Sequence, residues 1–347
     1  MIVIFPDPSR SDASTKVRAR LEGEERDFQA IPARVGEVFV LETGAPEDFS
    51  AWSEIQEVRP VHGPWSLVAR ESDELETRVR FGDFEIGGGR PVVIGGPCSI
   101  ESDEQLGLVA REVLQAGAHG LRGGAFKPRT STYAFQGLGR PGLEMLARVR
   151  RETGLPVVTE VMSPDEVELV AEFADMLQIG TRNMQNFRLL EAVGRSHRPV
   201  LLKRGMMATL DEFLAAAEYV YLRGNREIVL CERGIRSFEP RLRNTLDLGG
   251  AALLRRLTHL PVLVDPSHGS GIAEIVPDLA RAALAMGADG LLVEVHPCPE
   301  EARSDGRQSL RPTEFAELMT SLGAVARAVG RPLATREGAS AAASARG

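Results

Sequence analysis

The sequence has 347 residues, 43% of them hydrophobic and 26% charged, which excludes a disordered, collagen-like or coiled-coil chain. Its formal net charge of -8 argues against a nucleic-acid partner. It has no apolar run near the roughly 18 residues that a membrane span requires, so we expect no membrane partner either. At about 150 residues per domain the length predicts two domains, although a single α/β barrel takes about 250.

The cysteines and the N-terminus predict a cytoplasmic location. Cys98, Cys231 and Cys298 are too few for a disulfide framework, and we expect them to be thiols in a reducing compartment. The first residues, MIVIFPDPSRSD, have no basic segment followed by a long apolar one. We therefore predict no secretory signal.

Residues 1–75 predict a small α+β domain. We expect strands at MIVIF, DFQAIPA, EVFVLET and VRPVHG, a short helix near Ser14–Leu21 and a second helix at DFSAWSEIQEV. This order of elements is a ferredoxin-like pattern. The following RVRFGDFEIGGG, residues 78–89, is typical of a β-hairpin, and we expect it to close the bottom of the next domain.

From about residue 91 the sequence repeats a short apolar run and then an amphipathic helical segment. The eight runs are PVVIGGPC (91–98), HGLRGGA (119–125), PVVTEVM (156–162), MLQIG (176–180), PVLLKRG (199–205), EIVLCERG (227–234), PVLVDPSH (261–268) and GLLVEVH (290–296). Continuous Val, Ile and Leu runs are typical of parallel strands buried on both faces. Eight such units predict a (β/α)8 TIM barrel over residues 76–330, with a doubly wound open sheet as the alternative. Residues 331–347 predict a disordered tail.

In such a barrel the active site lies at the C-terminal ends of the strands. Nearly every predicted strand ends in a group that binds a metal, an anion or a proton. These strand-end residues are Cys98, Arg122, Glu160, Gln178, Lys203, Glu232, Asp265 and Glu294. Solvent exposure alone would favour Ser, Asn and Asp at these positions, so the set favours a functional site.

Six cations at or just beyond the strand ends form two blocks. They are Arg122, Lys127 and Arg129 in LRGGAFKPRTS, and Arg182, Lys203 and Arg233 further along the chain. Only three of the 41 basic residues are lysines, and two of those three belong to this set. Converging cations repel one another unless anions bind, so we predict polyanionic, phosphorylated substrates, two of them at once. For single arginines such as Arg204 and Arg236, salt bridges to neighbouring acids are the alternative.

Cys98, His268, Glu294 and Asp305 form a candidate metal site. The first three end neighbouring strands of the predicted barrel, and Asp305 lies in the loop after the last strand. A thiolate, an imidazole and two carboxylates suit Mn²⁺, Fe²⁺, Co²⁺ or Zn²⁺ rather than Mg²⁺, and Mn²⁺ is our first choice. His296 is the alternative to His268, although its side chain points the other way if Glu294 faces inward. An inert buried thiol is the alternative for Cys98 alone.

The motifs of the predicted barrel match one family. They are GPCSIES, LRGGAFKPRTSTYAFQGLG, VVTEVM, QIGTRNMQNFRLL, VLLKRGM, LCERGIRSFE, NTLDL, LVDPSHGSG and VEVHPCPEEARSDGRQSL. In this order, over about residues 78–330, they resemble the type Iβ 3-deoxy-D-arabino-heptulosonate 7-phosphate (DAHP) synthases. The resemblance implies a metal-dependent condensation of phosphoenolpyruvate with erythrose 4-phosphate, which opens the shikimate pathway to the aromatic amino acids.

The resemblance also implies a role for each site residue. The metal ligands would be Cys98, His268, Glu294 and Asp305. Phosphoenolpyruvate would be held by Arg122, Lys127, Arg182, Lys203 and Arg233. Erythrose 4-phosphate would be held by Arg129 and Thr130, with Asp305 near its hydroxyls.

Two residues are candidates for the proton and water steps of that reaction. Lys127 is our candidate acid for the carbonyl oxygen, because we expect an ammonium among other cations to have a lowered pKa. Glu160 is our candidate for orienting the attacking water. Both roles are hypotheses.

Two other functions compete with this one. The 3-deoxy-octulosonate 8-phosphate synthases use arabinose 5-phosphate on the same barrel, and their equivalent loop resembles KANRSS. Residues 127–131 of this sequence are KPRTS, which favours the shorter sugar. A non-catalytic sugar-phosphate sensor would have lost ligands or cations, and this sequence keeps them.

The N-terminal domain matches the family less well. Family members with a ferredoxin-like extension use it to bind tyrosine or phenylalanine and to close over the barrel mouth as feedback control. The second predicted strand, DFQAIPARVG, lacks the histidine expected at such a site, so a role in assembly alone is the alternative to inhibition by an aromatic amino acid. The resemblance further implies a homotetramer.

Overall fold

The structure is a computed structural model that describes residues 1–70, 76–127 and 133–335. Its first part is an antiparallel sheet of four strands with one helix. The elements are β1 (Ile2–Pro6), α1 (Ala13–Gly23), β2 (Gln29–Pro32), β3 (Glu37–Leu41) and β4 (Ile55–Pro60). The strand order β2-β3-β1-β4 is that of a ferredoxin-like sheet, as the sequence predicts.

The second helix predicted for this domain, DFSAWSEIQEV, is wrong. Pro46–Phe49 forms a single 3-10 turn, and Ile55–Pro60 is a strand that pairs with β1. Phe49 and Trp52 still lie in the core on one face of the sheet, but without β4 the backbone of β1 would keep an unpaired edge. Strand pairing thus outweighs the helical spacing of the apolar residues.

A hairpin and eight parallel strands follow the first sheet. They are β5 (Val79–Phe81) and β6 (Phe84–Ile86) in the hairpin, then β7 (Val92–Gly96), β8 (Gly120–Arg122), β9 (Val157–Val161), β10 (Met176–Ile179), β11 (Val200–Lys203), β12 (Ile228–Glu232), β13 (Val262–Val264) and β14 (Gly290–Glu294). Strands β7 to β14 close into a barrel in chain order. All eight predicted strands and the TIM barrel are therefore confirmed, and the open sheet is excluded.

Helices cover the outside of the barrel. They are α2 (Asp103–Gln115), α3 (Arg140–Thr153), α4 (Val167–Phe173), α5 (Phe187–Arg195), α6 (Leu210–Leu222), α7 (Leu248–Leu257), the short α8 (Pro266–Ser270), α9 (Val276–Met286) and α10 (Pro312–Ala328). Polar caps begin several of them: the side chain of Ser102 accepts from Gln105 N before α2, and that of Thr209 accepts from Glu212 N before α6. Such caps satisfy N–H groups that a helix start leaves free. No helix in the described part of the chain is long and apolar enough to cross a membrane.

The hairpin closes the N-terminal end of the barrel. Phe81 and Phe84 are buried in one cluster with inward-facing residues at the starts of the strands, such as Val92 and Met176. A Cβ at Gly120 would lie 2.3 Å from Cε1 of Phe81, so only glycine fits at that point of β8. Because this end is closed, the barrel opens at the C-terminal ends of its strands.

Phe81→Ala is expected to lower the free energy of unfolding by about 3–5 kcal/mol, because it removes a fully buried ring from a core that collapses only in part. The measurement is urea denaturation followed by circular dichroism. Phe238→Ala is the matched control, since Phe238 is 99% exposed and its loss is expected to change the stability by less than about 0.5 kcal/mol. Equal losses for the two variants would contradict the role of the hairpin as a plug.

The first sheet packs against the side of the barrel, at α6 and the loop that leads into β12. Val3 and Phe5 lie in the same apolar core as the barrel helices, and Arg226 Nη2 donates to Glu57 Oε2 at 2.6 Å. This loop enters β12 at its N-terminal end, away from the barrel mouth. The sheet therefore does not have the expected position over the mouth of its own barrel.

The boundaries predicted around the barrel have different outcomes. The boundary at residue 75 stays a prediction, because residues 71–75 lie outside the described residues. The predicted start of the disordered tail, residue 331, is too early. Ala334 N donates to Pro91 O at 3.0 Å, which holds the chain at the start of β7. Residues 336–347 lie outside the described residues.

Candidate active site

The C-terminal ends of the barrel strands surround a cavity of about 160 Å³. Most of the residues around it are charged or polar. The residues that line the cavity are Arg122, Lys127, Glu160, Gln178, Gly180, Thr181, Arg182, Lys203, Arg233, Arg243, His268 and Asp305. The cavity thus brings together five of the six predicted cations and adds Arg243. Arg129 and Thr130 lie outside the described residues.

Two arginines of the cavity each have an N–H group without a hydrogen-bond acceptor among the described residues. Nε of Arg122 and Nε of Arg233 are buried and have no hydrogen-bond partner among the residues that the structure describes. Burial lowers the pKa of Arg233, and Arg243 lowers it further although Asp265 opposes both. A buried N–H group without an acceptor costs about 1–3 kcal/mol, so the cavity favours an anionic ligand.

Lys127 lies between the cations and the candidate metal site. Its Nζ donates to the backbone O of Cys98 and to Cys98 Sγ, both at 3.1 Å. The expected lowering of its pKa is wrong: burial lowers the pKa of Lys127, but Cys98 and Glu160 together raise it by more. The neighbouring sulfur and carboxylate therefore outweigh the other cations at this nitrogen, and Lys127 is an ammonium at neutral pH.

Asp265 orients the ring of His268. Its Oδ2 accepts from His268 Nδ1 at 2.7 Å and from Lys203 Nζ at 2.5 Å. Because a carboxylate only accepts, Nδ1 carries the proton and Nε2 keeps its lone pair. Burial holds the pKa of His268 below its usual value although Asp265 and Glu294 oppose it. The ring is therefore neutral at neutral pH, which is the form that binds metals.

The four candidate metal ligands converge. One donor atom from each of Cys98, His268, Glu294 and Asp305 lies within 4.8 Å of the others. Cys98 Sγ is 3.2 Å from Asp305 Oδ2, and His268 Nε2 is 3.4 Å from Glu294 Oε1. His296 is outside this group, so the geometry favours His268. Sulfur, nitrogen and oxygen donors at this spacing fit a divalent transition metal.

The charge states of these donors differ. Burial raises the pKa of Glu294 and of Asp305, but His268 and neighbouring arginines lower both by more, so the two carboxylates are ionised at neutral pH. Burial and the charge of Glu294 raise the pKa of the Cys98 thiol to about 12. Because metals bind the thiolate, binding at this site would release a proton.

One carboxylate oxygen of Glu160 accepts no hydrogen bond from the described residues. Its Oε2 accepts from Gln178 Nε2 at 3.3 Å, whereas its buried Oε1 has no partner in the described parts of the chain. A Cβ at Gly180 would lie 1.9 Å from Oε1, so glycine just after β10 leaves the room that this carboxylate occupies. An acceptor of this kind suits a water molecule in the cavity.

Comparison with known proteins decides the family. The model of the DAHP synthetase I family matches residues 68–329. This chain belongs to the DAHP synthetase I family. The matched range takes in the hairpin and the whole barrel, and therefore every residue placed in the candidate site.

Relatives with known names show how far this likeness extends. The phospho-2-dehydro-3-deoxyheptonate aldolase of Thermotoga maritima is 49% identical over 284 residues, which are 82% of this chain and 84% of that protein. A crystal structure of the T. maritima phospho-2-dehydro-3-deoxyheptonate aldolase (DAHP synthase) has a TM-score of 0.77 and 42% identity and covers 96% of this chain and 98% of that chain. The 2-dehydro-3-deoxyphosphooctonate aldolase of Syntrophotalea carbinolica is 36% identical over 67% of this chain and 90% of that protein.

Arg204 forms salt bridges to neighbouring acids, which was the alternative to a role in substrate binding. Arg204 Nη1 donates to Glu232 Oε2 at 2.8 Å and to Asp247 Oδ2 at 2.9 Å. Arg204 is buried and is not among the residues around the cavity. It therefore braces the loop after β12 rather than meeting a substrate.

Sequence reasoning missed two residues of the site, Arg243 and Gln308. Arg243 lies between β12 and α7, and Gln308 lies in a 3-10 turn just after Asp305, so neither ends a strand. Arg243 Nη1 donates to Asp305 Oδ1 and to Gln308 Oε1, both at 2.8 Å. The available signal was their position in the family motifs, since Arg243 precedes NTLDL and Gln308 lies within SDGRQSL.

Proposed function

We propose that the chain condenses phosphoenolpyruvate with erythrose 4-phosphate and water to give DAHP and phosphate, with the roles of the cavity residues given below. This reaction is the first step of the shikimate pathway to the aromatic amino acids. One observation carries the proposal: a cavity that, within the described residues, is lined by six Lys and Arg residues adjoins a Cys–His–Glu–Asp cluster in a member of the DAHP synthetase I family. The identity of 49% to the T. maritima enzyme supports it.

A divalent metal would be held by Cys98, His268, Glu294 and Asp305, whose donor atoms converge within 4.8 Å. Mn²⁺ is our first choice, with Fe²⁺, Co²⁺ and Zn²⁺ as alternatives for this mixed donor set. When bound, the ion supplies Lewis-acid polarisation of the sugar aldehyde. Oδ1 of Asp305 accepts from Arg243 Nη1 at 2.8 Å, and Asp305 would also lie near the sugar hydroxyls.

The cations bind and align two anions. Arg122, Lys127, Arg182, Lys203 and Arg233 would hold the phosphate and carboxylate of phosphoenolpyruvate. Arg129 and Thr130 would hold the phosphate of erythrose 4-phosphate. Fixed cations offset the repulsion between the two substrates and keep the reacting carbons close, which supplies proximity and charge stabilisation.

Two residues of the cavity would then handle protons and water. C3 of phosphoenolpyruvate bonds to the aldehyde carbon while the Lys127 ammonium gives a proton to the aldehyde oxygen. A water oriented by Glu160 adds to C2. The bond between C2 and the bridging oxygen of the phosphate group then breaks, and phosphate leaves. One proton of that water restores Lys127 and the other leaves with phosphate, so atoms and charges balance.

The test is an assay of metal-stripped protein with phosphoenolpyruvate and either erythrose 4-phosphate or arabinose 5-phosphate, with and without Mn²⁺, following the absorbance of the enol. We expect consumption only with added Mn²⁺ and with a preference for erythrose 4-phosphate. A preference for arabinose 5-phosphate would place the chain with the 3-deoxy-octulosonate 8-phosphate synthases. No consumption of either sugar by metal-loaded protein would favour the sensor.

Three further expectations accompany this function. The resemblance to type Iβ enzymes supports a homotetramer and an aromatic amino-acid inhibitor bound by the N-terminal domain. The strand order of that domain, β2-β3-β1-β4, is compatible with such a ligand-binding extension. A cytoplasmic location is supported by the three cysteines, which are all free thiols.

A further inference from the structure

One guanidinium joins two of the four candidate metal ligands. Arg243 Nη1 donates to Asp305 Oδ1 at 2.8 Å and to Gln308 Oε1 at 2.8 Å. Gln308 Nε2 in turn donates to Glu294 Oε2 at 2.7 Å. Arg243 therefore contacts one metal-site carboxylate directly and the other through the side-chain amide of Gln308.

This relay engages one oxygen of each metal-site carboxylate. With Oδ1 of Asp305 held by Arg243, Oδ2 is the oxygen that lies 3.2 Å from Cys98 Sγ and 3.8 Å from His268 Nε2. With Oε2 of Glu294 held by Gln308, Oε1 is the oxygen that lies 3.4 Å from His268 Nε2 and that accepts from Arg122 Nη1 at 2.5 Å. Each carboxylate thus has one oxygen held by the relay and the other near the imidazole.

Asp305 needs such support because its backbone is strained. Its φ of 55° and ψ of 29° lie in the left-handed region, which costs energy for any residue other than glycine. The backbone at Arg243 is anchored, since Arg243 N donates to Ser270 O at 3.0 Å. The next residue, Asn244, donates from Nδ2 to His268 O at 2.9 Å. The loop at 243–244 therefore contacts both the short helix that contains His268 and the side chain of Asp305.

We infer that Arg243 is a positioning residue for the metal centre, which orients Asp305 directly and Glu294 through Gln308. The inference rests on the proposed metal-dependent function and goes beyond its ligand set. The side chain of Arg243 is 40% exposed and borders the open cavity, so the competing role is binding an anionic substrate through the same guanidinium. The two roles differ in whether metal affinity depends on Arg243 when no substrate is present.

The experiment measures the affinity of the full-length, metal-stripped protein for Co²⁺ without substrates, from the thiolate-to-Co²⁺ charge-transfer absorption that reports ligation by Cys98. Arg243→Met and Gln308→Met are expected to weaken Co²⁺ binding about 10–100-fold and to alter the spectrum. Arg243→Lys is expected not to restore it, because the lysine side chain is one bond shorter and its ammonium does not reach the position of Nη1, which donates to both acceptors. Arg241→Met is the matched control, since Arg241 is an exposed residue of the same loop and is not around the cavity.

The double variant of Arg243 and Gln308 sharpens the test. Residues that act through one another give non-additive effects in a double-mutant cycle. We therefore expect the double variant to bind Co²⁺ only slightly more weakly than the single variant with the lower Co²⁺ affinity. Urea denaturation of the metal-free variants shows that each is folded, and Gln308→Met carries the test if Arg243→Met does not fold.

The outcomes separate this inference from the function on which it rests. Unchanged Co²⁺ affinity and spectrum in Arg243→Met, with a raised KM for erythrose 4-phosphate alone, would overturn the positioning role and assign Arg243 to the substrate. Full rescue by Arg243→Lys would reduce the role to charge and also overturn it. Failure of the wild-type protein to bind Co²⁺ or Mn²⁺ would instead overturn the proposed metal centre.

Discussion

Replacing Cys98 by alanine is expected to abolish tight binding of a divalent metal and to lower kcat about 10³-fold, since a metal Lewis acid contributes several kcal/mol and each 1.4 kcal/mol is about tenfold in rate. Cys98 supplies the single sulfur donor of the cluster, and its Sγ lies 3.2 Å from Asp305 Oδ2. The side chain is buried, so water has poor access to replace it. The measurements are the metal content after dialysis against Mn²⁺ and the steady-state rate with phosphoenolpyruvate and erythrose 4-phosphate.

Cys298→Ala is the matched control for this experiment. Cys298 lies in the loop between β14 and Asp305, and its Sγ donates to Glu300 Oε1 at 3.5 Å outside the donor cluster. We expect it to keep the wild-type metal content and rate. A Cys98→Ala protein that retains both would show that the thiol is inert, which was the alternative for this residue from the sequence.

The barrel could be predicted because its signal is local and repeated. Strands such as β7 and β12 are buried on both faces, so nearly every position is apolar and each run stands out from the amphipathic helices around it. Closure in chain order then follows from the repeat itself, since each unit places its strand beside the preceding one. The same logic found Cys98, Glu160 and Glu294, which lie at the ends of runs that were already identified.

The first domain shows where that signal fails. Short amphipathic segments such as 48–58 have apolar spacings that suit a helix or a strand, and the choice depends on partners far along the chain. Here β4 forms because β1 offers an edge to pair with, and Trp52 reaches the core from a turn. Periodicity within the segment contains no information about that edge.

The site shows a second limit. Arg243 and Gln308 lie outside the strands, and their roles arise only from tertiary contacts with Asp305 and Glu294. Likewise, a count of cations in the sequence predicts a lowered pKa for Lys127, whereas the structure raises it. Electrostatic energy falls with distance, so the groups close to Nζ, which are Cys98 Sγ at 3.1 Å and the Glu160 carboxylate, matter more than the number of arginines in the motif.

Lys127→Met is expected to lower kcat about 10²–10⁴-fold, the range that a positioned general acid contributes. The ammonium is buried in the cavity and donates to Cys98 Sγ, between the proposed metal and the substrate cations. Lys127→Arg is expected not to restore the rate, because a guanidinium is not deprotonated in proteins and so cannot give up the proton that the aldehyde oxygen needs. Lys16→Met is the matched control, since Lys16 is half exposed and paired with Asp12 in the first domain, and we expect it to leave the rate unchanged.

The kinetic pattern distinguishes proton donation from simple binding at Lys127. Loss of an interaction made only in the transition state lowers kcat and kcat/KM equally, whereas loss of uniform binding raises KM with kcat unchanged. We expect the first pattern, measured at saturating Mn²⁺ so that weaker metal binding through Cys98 does not contribute. A raised KM for phosphoenolpyruvate with normal kcat would leave Lys127 as a substrate-binding cation and would require another proton donor for the aldehyde oxygen. Among the described residues around the cavity, the other cations are arginines except Lys203, whose Nζ donates to Asp265 Oδ2 at 2.5 Å. The next candidates for that donor would then be Lys203 and a water molecule.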